Sequence, residues 1–175
     1  MFLWLNHFVP YATVYLSLGS NVGNRALHIK RAVGMLRRAH VRVLRQSPLY
    51  ETEPVGLRAQ RWFLNCVVEA RTLLPPLRLL RLLLFIERRL GRRRTLRNAP
   101  RPLDLDILFY GSRIVRSPRL SIPHPRLTQR RFVLLPLADL SPELRHPLSR
   151  STISQLLAQC PDRSEVRLWK EHTAP

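Results

Sequence analysis

Residues 13–18 alternate in side-chain character and carry β-formers, which predicts a strand that ends in the turn Gly19-Ser20-Asn21. Asn24 stands where a helix cap belongs, and a helix is expected from there to about Ala39. Leu27, Arg31, Gly34 or Met35 and Arg38 are spaced for one side of it, and Ala26, Ile29, Val33 and Leu36 for another. Val41, Val43 and the stretch to Tyr50 predict a second strand, broken by Pro48, and residues 62–71 a third. Pro75-Pro76 opens a helix to about Leu90, and Gly91 stops it. Its apolar stripe of Leu79, Leu83, Ile86 and Leu90 buries one face. Residues 103–110 read as the fourth strand, Gly111-Ser112 as its turn, and Ile114-Val115 as a short return strand. Proline-rich segments with one or two short helices finish the chain, the last helix over 153–158.

The order strand, helix, strand, strand, helix, strand is the split βαβ pattern of a ferredoxin-like α+β sandwich, a mainly antiparallel sheet with helices packed on it. A length of 175 residues suits one such domain. The expected division is an N-terminal extension over 1–12, a domain over 13–160 and a C-terminal tail over 161–175.

Composition changes this picture in one respect. Hydrophobic residues at 45% and charged residues at 23% are globular proportions, but 30 Lys and Arg face only 11 Asp and Glu, a net charge of +19. Lys30 and Lys170 are the only lysines; the rest are arginines. The excess fits a polyanionic partner and fits an arginine-biased composition equally, and charge alone does not separate RNA from ATP. Cys66 and Cys160 form no disulfide or metal spacing, and Cys66 lies in an apolar run suited to the core. The first twelve residues are apolar, but they lack a basic n-region and are interrupted by Asn6, His7 and Pro10. Neither a signal peptide nor a membrane span is expected, and the reading is a cytoplasmic protein.

The candidate chemistry lies where acids are scarce. Between Ala70 and Ala138 there are 16 arginines and three acids, Glu87, Asp104 and Asp106. Asp104 and Asp106 are two residues apart on the fourth strand, so both carboxylates leave one face, with Cα atoms about 6.5 Å apart. Such a pair either matches arginines on an exposed strand or holds Mg²⁺ ions shared with substrate phosphates. Arg92, Arg94, Arg97 and Arg101 precede it in a loop punctuated by Pro100 and Pro102. Guanidinium forks bind phosphate bidentately, so this loop beside a metal pair is what triphosphate chemistry needs. No G-x-x-x-x-G-K-[ST] occurs, and residues 19–24 match neither a P-loop nor a dinucleotide fingerprint. His124 stands alone in the turn Ile122-Pro123-His124-Pro125.

The segment Arg97-Asn98-Ala99-Pro100-Arg101-Pro102-Leu103-Asp104-Leu105-Asp106-Ile107-Leu108 resembles the signature of the 6-hydroxymethyl-7,8-dihydropterin pyrophosphokinase family in every defined position. Around it, in family order, stand Tyr15-Leu16-Ser17-Leu18-Gly19-Ser20-Asn21, Tyr50-Glu51-Thr52-Glu53-Pro54-Val55-Gly56, Phe63-Leu64-Asn65, Ile122-Pro123-His124-Pro125, Arg130-Arg131-Phe132 and Leu135-Pro136-Leu137. The resemblance covers roughly residues 13–148.

It implies a ferredoxin-like enzyme of folate synthesis that binds Mg·ATP and then the pterin. The pterin hydroxyl attacks the β-phosphorus and AMP leaves. By position, Asp104 and Asp106 would ligate two Mg²⁺, and Arg92, Arg94, Arg101 and Arg119 would contact the phosphates or move with the loop. Glu87, Ile107, Ser121 and His124 fall where the family holds the nucleotide. Thr52, Pro54, Val55 and Asn65 would read the polar edge of the pterin, Phe63 and Phe132 would sandwich its ring, and Arg130 would lie near the hydroxymethyl end. The chain departs from the family at Glu53, where a proline is usual, at Asn98, where many members carry tryptophan, and at Pro125, Leu84 and Phe63. A monomer with no nucleic acid and no membrane partner is expected. The loop 92–102 is expected to order once both substrates are bound.

The alternative from another class is a basic ferredoxin-like nucleic-acid-binding module. It calls for aromatics in an RNP pattern on adjacent strands, which the sequence lacks, and it leaves the signature unexplained.

Overall fold

The computed structural model describes residues 11–55, 59–92 and 99–170. Gly56, Arg94, Arg97 and Asn98 therefore lie outside the described residues, as does the middle of the loop expected to order on binding.

Strand β1 (Ala12–Ser20) runs through the middle of the sheet, pairing antiparallel with β4 (Phe63–Thr72) on one side and β5 (Asp104–Tyr110) on the other. The stretch expected as one broken strand divides at Pro48 into β2 (Arg42–Gln46) and β3 (Tyr50–Thr52), both paired with β4. Proline has no N–H to give a ladder, so the break falls where the chain cannot pair. The order β5-β1-β4-β3, all antiparallel, with helix α1 (Arg25–Arg38) after β1 and α2 (Pro76–Arg89) after β4, is the ferredoxin-like arrangement.

The segment assigned to the C-terminal tail contains a further strand, β8 (Val166–Leu168), which pairs with β3 at the sheet edge. Its three residues carry too little periodicity to announce themselves. The short strand β6 (Val115–Ser117) joins β7 (Leu120–Ile122) as a separate two-stranded hairpin instead of returning onto β5.

Asn24 caps α1 by accepting from Leu27 N at 3.0 Å, and the buried stripe is Ile29, Ala32, Val33 and Leu36. Helix α2 starts at Pro76, buries Leu79, Leu83, Ile86 and Glu87, and is capped at Leu90 just before Gly91, whose φ of +92° favours glycine. These two helices cover one face of the sheet over Leu16, Leu18, Leu64, Cys66, Val68, Leu105 and Ile107.

On the other face, α3 (Arg131–Leu140) and α4 (Ile153–Ala158) pack on Tyr15, Val67, Leu108 and Phe109. They cover only part of it. Beyond the N-terminus of α3 the end of β1 and the starts of β4 and β5 stay open, and there the cleft forms. Among the described residues no helix is long and apolar enough to cross a membrane.

Candidate active site

The cleft floor is a grid of three strands. Register sets Gly19 opposite Asp104 on one side and opposite Asn65 on the other; Ser17 lies opposite Asp106. Because strand side chains alternate, Asp104, Asp106, Gly19, Ser17, Phe63 and Asn65 leave the face that α1 and α2 do not cover. Gly19 is required at the centre of the row: a Cβ there would stand 2.5 Å from Asn65 Oδ1. These residues, with Thr52, Glu53, Val55, Gln60, Arg101, Arg126, Gln129, Arg130 and Phe132, line a cavity of about 210 Å³. Glu87 and Arg92 line a neighbouring groove of about 410 Å³ with Leu84 and Arg88.

The two carboxylates have different surroundings. Asp104 Oδ1 accepts from Arg92 Nη1 at 2.6 Å, and Oδ2 accepts from Arg101 Nε at 3.0 Å and lies 2.7 Å from Nη2. Among the described residues Asp106 has only longer ion pairs, 3.7 Å to Arg130 Nη1 and 3.8 Å to His124 Nε2. Removal from water, then the Asp104 charge, raises the Asp106 pKa above the ordinary carboxylate value. Burial lowers that of His124. Glu87, 3% exposed, accepts from Leu105 N at 2.8 Å and pairs with Arg92; desolvation pushes its carboxyl up to about 7. Two carboxylates on one strand face, with Asp106 short of neutralising hydrogen bonds among the described residues, favour a hard cation with oxygen ligands.

The aromatic walls each back onto an arginine. Arg101 lies over the Phe63 ring at 5.1 Å and Arg130 over Phe132 at 5.5 Å. Between the walls Asn65 Nδ2 donates to Thr52 Oγ1 at 2.6 Å, which fixes the amide and leaves Oδ1 above Gly19. Both residues are buried.

Thr52, Val55, Phe63, Asn65, Arg101, Asp104, Asp106, Arg130 and Phe132 thus share one cavity, and His124 adjoins it through Asp106. Pro54 is buried beside that lining. Ile107 is a core residue beneath α1 and α2, so on this edge strand a backbone contact is the one open to it. Arg119 and Ser121 are exposed at the β6–β7 hairpin, outside the cavity lining. Asn21 is the residue that sequence reasoning passed over as a mere turn. It is 1% exposed; its N donates to Arg101 O at 3.2 Å and its Oδ1 accepts from Arg101 N at 2.8 Å. Its Nδ2 donates to Gln60 Oε1 at 2.8 Å and Arg61 O at 3.2 Å. One buried amide therefore ties together two walls of the cleft. Polar residue types in a turn carry no sign of such long-range partners.

Fold and cleft define a class: a ferredoxin-like α+β domain whose open sheet end carries an acidic pair, a cationic rim and a flat aromatic slot. Comparison with known proteins narrows it. The profile of the 7,8-dihydro-6-hydroxymethylpterin-pyrophosphokinase family matches residues 15–142. The 2-amino-4-hydroxy-6-hydroxymethyldihydropteridine pyrophosphokinase of Bacillus subtilis is 40% identical over 90% of this chain and 90% of its own length. That of Pseudomonas aeruginosa is 44% identical over 89% of this chain and 96% of its own. The folic acid synthesis protein fol1 of Pneumocystis carinii is 43% identical over 85% of this chain, which spans only 20% of that longer protein. Among solved structures, a Plasmodium falciparum HPPK-DHPS superimposes with a TM-score of 0.69 at 18% identity, over 91% of this chain and 47% of that one. That likeness speaks to the fold. The chain belongs to the 7,8-dihydro-6-hydroxymethylpterin-pyrophosphokinase family.

Proposed function

We propose that the chain transfers the β,γ-diphosphoryl group of ATP to the hydroxymethyl group of 6-hydroxymethyl-7,8-dihydropterin and releases AMP, a step of folate biosynthesis. The observation that carries this reading is the row Asp104, Gly19, Asn65 across three strands. It sets a carboxylate pair suited to metal-bound phosphates beside an amide and two rings suited to a flat heterocycle. The nucleic-acid alternative has no such observation in its favour.

In this proposal Phe63 and Phe132 stack on the two pterin faces. Asn65, Thr52, Pro54 and Val55 match the polar edge, and Asn65 Oδ1, freed by the bond its Nδ2 makes to Thr52, is the acceptor on offer. Glu87, Arg94, Ile107, Arg119, Ser121 and His124 hold the nucleotide, with the groove at Leu84 and Glu87 beside the cavity for its base. Asp104 and Asp106 hold two Mg²⁺, the remaining ligands coming from phosphates and water. The donor set fits: both residues offer hard oxygens, and among the described residues no cluster of three or more acidic, His or Cys side chains forms a closed protein cage. Bound Mg²⁺ supplies charge cancellation on the triphosphate. Arg92 and Arg101, now holding Asp104, turn their donors to the phosphates. Arg130 orients the hydroxymethyl end.

As the pterin oxygen bonds to Pβ, the bridging bond to the α-phosphate breaks. Its electron pair leaves with AMP, and the hydroxyl proton passes to solvent water. No enzyme nucleophile is required, so positioning and charge do the catalysis. We take the working unit to be a cytoplasmic monomer whose site residues lie within 13–160, with β8 completing the sheet edge. The test is AMP release from Mg·ATP with and without hydroxymethyl-dihydropterin. Pterin-dependent AMP is expected; its absence would overturn the proposal.

A further inference from the structure

Among the described residues that line the cavity, none comes from the segment downstream of α4. That segment nevertheless meets the back of each part of the pterin slot. Asp162 accepts at Oδ2 from Arg131 N at 3.0 Å and at Oδ1 from Ser164 N at 2.9 Å. Arg131 is the first residue of α3 and stands between Arg130 and Phe132. Glu165 and Glu53 are joined twice: Glu53 N donates to Glu165 O at 3.2 Å, and Glu165 N donates to Glu53 Oε2 at 3.0 Å. Glu53 lines the cavity between Thr52 and Pro54. Arg167, in β8, lies over the ring of Trp62 at 4.8 Å, and Trp62 adjoins Phe63.

Each contact supplies what its partner lacks locally. The first N–H groups of a helix have no intrahelical acceptor, so Asp162 fixes the start of α3 and with it the Phe132 ring. The ladder between β3 and β4 stops at Thr52 and Phe63, and the backbone bond of Glu53 goes to Glu165 instead. Trp62 O is held from the other side by Arg25 Nη1 at 2.7 Å, while its ring faces Arg167. The segment is itself anchored: Val166 pairs with Thr52, and Trp169 N donates to Leu49 O at 2.8 Å. Spacing matters to a slot of this kind. Two rings attract a flat heterocycle only at contact, and a gap of about 0.5–1 Å forfeits roughly a quarter to a half of the dispersion well. Phe63 and Phe132 come from different elements, β4 and α3, and one short segment reaches the neighbours of both.

We propose that residues 162–169 form a strap that sets the spacing of the pterin slot. Asp162 and Arg167 are its positioning residues, acting through Arg131 on the Phe132 wall and through Trp62 on the Phe63 wall. The paired bonds between Glu165 and Glu53 hold the edge that carries Thr52, Pro54 and Val55. This rests on the function proposed above and adds a determinant of pterin affinity that has no contact with the pterin.

The test is the affinity for hydroxymethyl-dihydropterin, by calorimetry on the full chain with Mg²⁺ and a non-hydrolysable ATP analogue present. Steady-state pterin KM and kcat are measured alongside. Asp162→Ala should weaken pterin binding about fivefold, the loss of one helix-capping acceptor. Asp162→Asn keeps one acceptor oxygen and should recover part of that loss. Arg167→Ala should weaken it about threefold, the size of an exposed cation–π contact. In both alanine variants pterin KM should rise by more than kcat falls, and the ATP analogue alone should bind within about twofold of the parent. Pterin held as tightly by either alanine variant as by the parent overturns the strap. Equal losses of pterin and ATP analogue overturn it too, because they mark a general loosening of the fold. Pterin binding that depends on Asp162 and Arg167, without pterin-dependent AMP release, would sink the proposed reaction and keep the strap. AMP release at an unchanged pterin KM in both variants would do the reverse.

Discussion

The strands β1, β4 and β5 present two faces built from alternating residues of the same segments. Under α1 and α2 stand Leu16, Leu18, Leu64, Cys66, Leu105 and Ile107, each at most 4% exposed. One residue away on each strand, Ser17, Gly19, Phe63, Asn65, Asp104 and Asp106 line the cleft. The first face is bound by area removed from water, and the strand side chains named there carry no charge. The second holds charges close together, in a partly desolvated place where, among the described residues, the Asp106 carboxylate has no hydrogen-bond partner, an arrangement that costs stability until a ligand completes it. Stability and chemistry have been sorted to opposite sides of one sheet, and period-two alternation keeps them apart.

If the division is real, variants on the two faces must move different observables. Leu64→Ala leaves a hole against α1 and α2 and should cost about 2–5 kcal/mol in chemical denaturation. AMP-release rate per folded molecule should hardly change; a rate loss well beyond the loss of folded protein would break the comparison. Asp104→Asn and Asp106→Asn should do the opposite. Turnover should fall at least about 10²-fold, some 2.7 kcal/mol of barrier, with the denaturation midpoint little moved. Near-normal rates at saturating Mg²⁺ would make the pair structural. Phe63→Ala should weaken pterin binding by about 0.5–1.5 kcal/mol and leave ATP binding alone. Equal losses for both substrates would take Phe63 out of the slot.

The smallest effect expected is one of pH, away from the cleft. His146 is 7% exposed, stacks edge-on against Phe109, and accepts at Nδ1 from Leu148 N at 3.3 Å and Ser149 N at 3.2 Å. Burial lowers its pKa below the ordinary histidine value. A depressed folded value means that the stability it contributes is present above about pH 6.5, the unfolded value, and is lost as pH falls through the folded one. Denaturation midpoints between pH 7 and 5 should decline in the parent more than in His146→Gln, and parallel declines would show that His146 plays no part.

Much of this molecule was open to reading from the chain alone. Alternation around Asp104 and Asp106 determined that both carboxylates share a face with Leu105 and Ile107 opposite, because strand geometry has period two wherever it occurs. Caps at Asn24 and Gly91, and the stripe Leu79, Leu83, Ile86, follow from local geometry in the same way. Local rules stop where partners are distant. Which stripe of α1 is buried was settled by the sheet it packs on, and the pairing of Val166–Leu168 with β3 by an edge some 115 residues back in the chain. In β5 the register slips by one residue at Leu108, so Leu108 and Phe109 both join the α3 and α4 side while Tyr110 returns to the other. The run Leu108-Phe109-Tyr110 is apolar throughout and marks no face, so only pairing with β1 places the bulge. Asn21 shows the same limit at the cleft. Its residue type announces a turn, but the bonds from its amide to Gln60, Arg61 and Arg101 exist only because folding brings segments 40 and 80 residues away against it. Side-chain periodicity is a property of neighbours along the chain, whereas the partners of a buried amide are chosen by the tertiary structure that excludes water from around it.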